Sequence, residues 1–124
     1  MNPSNPESCL APCLPQPLLE ERPLLSPKQA IELGALFKVL ANDTRLRLLH
    51  ALVRQGEMGV MELAKVLAMK PQAVSNQLQR LTDRGILESR RAGININYRI
   101  SDPCVISLLD HSLCLSEDAK ARMK

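Results

Sequence analysis

Four cysteines hold the reactive chemistry available to this chain. Cys9 and Cys13 have three residues between them; Cys104 and Cys114 lie ten apart. A thiolate is at once a nucleophile, a redox group and a soft metal ligand. Around the second pair stand Asp102, His111 and Glu117, all side chains able to ligate an ion. No Cys-x2-Cys pair is present, and no Ser/His/Asp or Cys/His set falls where loops are expected. A zinc-ribbon buffer and a covalent enzyme are therefore not expected. Three readings of the thiols stay open: small buried hydrophobes, a redox or persulfide switch, or a site for a thiophilic metal or metalloid ion (Cd, Pb, Zn, Hg or As).

A second constellation is polar and cationic. Lys70, Gln72, Ser75, Asn76, Gln77, Gln79 and Arg80 crowd one stretch that holds no acid before Asp83. Solvated helix faces usually mix Glu with Lys, and this one does not. Amides match the donor and acceptor edge of adenine, and Lys or Arg matches guanine. Arg90, Arg91 and Arg99 follow, near Asn95 and Asn97, as cations suited to phosphates or to a minor groove.

These side chains need elements to position them. Ser26-Pro27-Lys28-Gln29 is a capping box with proline at the first helical position, and a helix follows through Leu40. Its apolar residues wrap most of the circumference, so two faces need burial, one of them against a second subunit. Asn42 or Asp43 caps the next helix, which ends at Gly56. A short helix is predicted from Val60 to Ala68, and Met69-Lys70 makes a tight connection. Pro71 opens a longer helix to Arg84, with Val74, Leu78 and Leu81 as its inward stripe. The period then changes to strands at 86–91 and 96–100 around an Ala92-Gly93-Ile94-Asn95 turn. Asp102-Pro103 starts a last helix, with residues 117–124 expected to fray. The fold class is thus mainly α with a small β-hairpin wing (α+β). The order describes a winged helix-turn-helix, whose second helix enters the DNA major groove.

Composition agrees. The 124 residues carry a net charge of +3, unevenly placed, with twelve Lys/Arg against seven acids over 26–103. A basic middle suits a polyanion. The aromatics are Phe37 and Tyr98, which excludes base-stacking platforms. Seven of nine prolines lie at or before position 27, so residues 1–25 read as a disordered tail and 26–116 as the domain. No apolar run of about 18 residues exists, so no membrane span is expected. Without a signal peptide the chain is expected to be cytoplasmic, with its thiols reduced.

The stretch from Leu36 through Ala41-Asn42-Asp43-Thr44-Arg45 to Leu49 resembles the ArsR/SmtB family of metal- and stress-responsive repressors. Met61-Glu62-Leu63-Ala64 and Gln72 to Leu78 resemble its helix-turn-helix, and Gly85-Ile86-Leu87 with Tyr98-Arg99-Ile100 resembles its wing. The similarity covers about residues 28–115. It implies a homodimer built on the first and last helices, bound to an inverted-repeat operator in double-stranded DNA and released by an effector. One family site places thiols on the helix before the turn; Gly59 and Met61 stand there instead. A second lies on the last helix. Asp102 and Cys104 match its first two positions, with thiol for imidazole, while Leu115 and Asp118 fall at the later pair. Cys104 and Cys114 are then the leading ligand candidates, with Asp102, His111, Glu117, Cys9 and Cys13 behind them.

Overall fold

The computed structural model describes residues 17–123. Expectations for residues 1–16, Cys9 and Cys13 included, lie outside the described residues. Residues 17–25 are exposed, and their one regular element is a 3-10 turn at Leu19–Glu21.

The first helix, α1, spans Pro27–Leu40, and its capping box forms as the sequence predicts. Gln29 donates its backbone N–H to Ser26 Oγ at 3.1 Å, and the Ser26 N–H donates to Gln29 Oε1 at 2.9 Å. Helix α2, Asp43–Gln55, begins at Asn42, whose side chain accepts from the Arg45 N–H at 3.0 Å. Helices α3 (Val60–Leu67) and α4 (Pro71–Asp83) form the helix-turn-helix. Ala68 closes α3 in a left-handed conformation at φ 55. The Met69 N–H reaches back to the Ala64 carbonyl at 2.9 Å, and the same pattern recurs from Ile86 to Leu81 at the end of α4. Such paired end bonds satisfy the last carbonyls and turn the chain sharply.

The wing is a sheet of three antiparallel strands, β1 (Met58–Gly59), β2 (Leu87–Ala92) and β3 (Asn95–Ile100), in the order β1-β3-β2. Strands β2 and β3 pair from Leu87↔Ile100 to Ala92↔Asn95. The turn is therefore two residues, Gly93-Ile94, tighter than the four predicted. Gly93 supplies a positive φ of 68 at its first position, which matches the twist of the strands. Strand β1, Met58–Gly59, was not predicted, because two residues show no alternation. It pairs Gly59 with Asn97 so closely that a Cβ at 59 would lie 3.1 Å from Asn97 Oδ1.

Helix α5 spans Pro103–Arg122 and continues past Ser116, where the sequence suggested fraying. Lys120 and Arg122 in its last turn complement the negative end of the helix dipole. No described helix is long and apolar enough to cross a membrane.

The core is aliphatic. Leu48, Leu49, Leu52, Leu63, Val74, Leu78 and Leu81 are fully buried, drawn from α2, α3 and α4. The two outer helices contribute little to it. Leu40 alone is buried on α1, and nothing on α5 is. Ile31 (73% exposed), Phe37 (48%), Leu113 and Leu115 face outward.

Glu57 fastens the wing to the helices. Its carboxylate accepts from Arg90, forming an ion pair with the guanidinium, and from Asn97 Nδ2 at 3.1 Å. The Arg90 hydrogen bond, then that of Asn97, holds the Glu57 carboxyl below its usual value of 4.5. A lowered folded-state value stabilises the fold above the unfolded value, and the gain is lost as pH falls through the folded one. Glu57→Gln should therefore melt below the wild type at neutral pH, and the two melting temperatures should converge as pH drops below 4.5. A difference independent of pH in thermal denaturation would contradict this.

Candidate nucleic-acid interface and thiol site

Helix α4 turns Val74, Leu78 and Leu81 inward, so its opposite face is set by the helical period. Gln72, Asn76, Gln79 and Arg80 are exposed there, with Ser75 half-buried at the margin. Lys70 is the N-cap residue and exposed, and no side chain caps the helix. The amide N–H groups of its first turn therefore point outward without a side-chain acceptor.

Two amides are engaged within the helix. Gln72 Nε2 donates to Asn76 Oδ1 at 3.1 Å, and Gln79 Nε2 donates to Asp83 Oδ1 at 2.8 Å. Both bonds are exposed to solvent. Gln77 is different. It is half-buried beside the inward stripe, and its Oε1 accepts from Arg45 Nε at 2.7 Å. The amide face predicted from sequence is thus brought together without Gln77.

The wing cations divide similarly. Arg90 is paired with Glu57, and Arg99 with Glu88 across the β2–β3 pair. Arg91 is exposed and makes no ion pair among the described residues. Nothing in composition or period singles out Glu57 or Arg45 as partners of these groups.

The thiols sit on α5. Cys104 and Cys114 are both exposed, on one unbroken helix. Ten residues at 1.5 Å each put them about 15 Å apart, beyond the reach of one ion in one copy. Cys114 is free, and its Sγ lies 3.9 Å from Asp118 Oδ2. Cys104 takes part in a disulfide, where the sequence led us to expect reduced thiols. Asp102 is the N-cap of α5 and accepts from the Cys104 N–H at 2.8 Å. His111 and Glu117 are exposed on the same helix. Among the described residues no three His, Cys, Asp or Glu side chains gather as a metal site.

Known proteins share this fold. The sequence model of the MarR family matches residues 42–93, which run from the α2 cap to the wing turn and leave α1 and α5 outside. A transcriptional repressor SmtB homolog from Synechocystis is 38% identical over 85 residues. That match takes in 68% of this chain and 64% of the relative, so the chain spans somewhat under two thirds of its length. The crystal structure of the antimony-specific transcriptional repressor AntR superposes with a TM-score of 0.73 at 57% identity, covering 89% of this chain and 99% of that one. A Mycobacterium bovis domain, described as a homodimeric winged helix-turn-helix DNA-binding domain of a possible ArsR-family regulator, superposes with a TM-score of 0.65 at 31% identity. It covers 78% of this chain and 92% of that one. Both structures cover more of this chain than the MarR match does. The chain belongs to the ArsR/SmtB family of winged helix-turn-helix DNA-binding transcriptional repressors.

Proposed function

We propose that this chain works as a homodimer on an inverted-repeat operator and leaves it when α5 thiolates bind a soft metal or metalloid ion. The observation that carries the DNA reading is the polar outer face of α4, with Gln72, Asn76, Gln79 and Arg80 exposed beside the wing and no acid before Asp83 in its last turn. Gln72, Ser75, Asn76 and Gln79 contact bases. Lys70, the first-turn amides of α4, Arg80 and Arg91 contact phosphates. Arg90 and Arg99 hold the wing in shape through their carboxylate partners. The uncovered apolar surfaces of α1 and α5 support burial against a second copy. Such a dimer puts two recognition helices about one DNA turn apart.

The effector reading rests on Cys104. It is exposed on α5, as is Cys114, and on reduction both offer thiolates. Paired thiolates favour soft ions over hard ones. An antiparallel pair of α5 helices brings Cys104 of one copy toward the partner's Cys114, and the tail cysteines, Cys9 and Cys13, are placed by sequence to close over them. Likeness to an antimony-specific repressor favours a trivalent metalloid such as As(III) or Sb(III) within the soft class. Binding then biases the dimer against operator spacing. Cys104's disulfide also supports a second reading, in which oxidation itself is the signal.

Two measurements separate these statements. Arg91→Gln should lower the slope of log affinity against log salt by about 1 and spare the preference for operator over random DNA. Gln72→Ala or Asn76→Ala should cost about 1–3 kcal/mol on the operator alone. Equal losses on random DNA would contradict the base contacts. With reduced protein on labelled operator, As(III) or Sb(III) should weaken binding about 5–150-fold, and Cys104→Ser should abolish that response. Release that persists in the Cys104→Ser/Cys114→Ser double variant would overturn the thiolate site. Release by oxidant alone would select the redox reading.

A further inference from the structure

Arg45 makes polar contacts on three helices. Its backbone N–H is held by Asn42 at the start of α2, its Nη1 donates to the Val39 carbonyl of α1 at 2.8 Å, and its Nε donates to Gln77 Oε1 of α4 at 2.7 Å. The Val39 carbonyl belongs to the last turn of α1, where helical acceptors lack their own partners. A guanidinium is planar with donors in a fixed fork, so engaging two acceptors fixes their relative placement. The other side-chain hydrogen bonds of α4, from Gln72, Gln79 and Thr82, stay within the helix. Beside this bridge lies an open cleft of about 250 Å³ lined by Val39, Arg45, Arg80, Asp83 and Arg84. On this flank the hydrogen bonds of Arg45 join α4 to α1.

We propose that Arg45 and Gln77 form a strut that fixes α4 against α1, and with it the separation of the two recognition helices in the dimer. Gln77 is then a positioning residue that acts through Arg45 and reads no base itself. The inference rests on the dimeric DNA reading above, since α1 carries the exposed Ile31 and Phe37 that a second copy would cover. One end of the strut is the interface helix; the other is the reading helix.

The test uses the full-length reduced protein and three DNAs: the operator, the operator with its half-sites moved apart by two base pairs, and random duplex. Melting temperature and sedimentation establish that each variant is a folded dimer. The wild type should lose about tenfold or more on the respaced operator. Arg45→Lys, whose single ammonium lacks the fork, and Gln77→Leu should each lose about tenfold on the native operator and discriminate spacing less than about threefold. Both should bind random duplex within about twofold of the wild type. The Arg45→Lys/Gln77→Leu double variant should be no worse than either single one. Gln77→Glu keeps an acceptor for Arg45 and removes the carboxamide donor, so it should retain spacing discrimination. It also covers the case in which Gln77→Leu fails to fold. If Gln77→Glu loses operator preference as Gln77→Leu does, Gln77 reads DNA directly and the strut is wrong. Additive losses, or unchanged spacing discrimination in Arg45→Lys, overturn it too. A wild type without operator preference overturns the DNA reading itself, and this inference with it.

Discussion

Val74, Leu78 and Leu81 are buried in the core, where α4 packs on α3 and β2, and every functional statement about α4 depends on that burial. Seating three large apolar side chains, at roughly 1.5–3 kcal/mol each, leaves the helix one orientation about its axis. The period of 3.6 then decides which residues face outward. Gln72, Asn76, Gln79 and Arg80 point to solvent because the inner stripe leaves them no alternative. Burial fixes rotation about the axis, and on the flank toward α1 the hydrogen bonds of Arg45 to Gln77 and to the Val39 carbonyl join the helices.

The same economy governs the wing. A hairpin of six-residue strands has little apolar surface of its own, and β2 is buried only near Leu87. Its attachment comes from Leu87, from Tyr98 and Ile100 of β3 packed on the core, from the short β1 pairing and from the carboxylate of Glu57. Two of its three arginines are thereby committed to protein partners. A positive surface is not a count of cations. Which guanidiniums remain for phosphate depends on where the acids sit.

Much of this was legible in the sequence. The cap at Ser26, the cap at Asn42, the proline starts at 27, 71 and 103, and the stripe at 74, 78 and 81 all act through local rules, and each element begins where those rules place it. Hidden features were nonlocal or too short. Strand β1 is two residues and exists through its pairing with β3. The length of α5 past Ser116 was hidden because polar residues carry no period. Gln77 lies beside the inward stripe, and only the arrival of Arg45 from 32 residues away separates it from its polar neighbours. The thiols were the least legible. Type and spacing identified Cys104 and Cys114 as chemically able, but one helix holds them too far apart, so any shared site draws on a second copy or on the tail.

The central claim is that two copies present their α4 helices together to one symmetric DNA site. Its most direct test is selection of bound sequences by the reduced protein from a pool of random duplexes. The account predicts one enriched inverted repeat whose half-site centres lie about 10–10.5 base pairs apart. Enrichment of a lone half-site, or of no sequence at all, would contradict it.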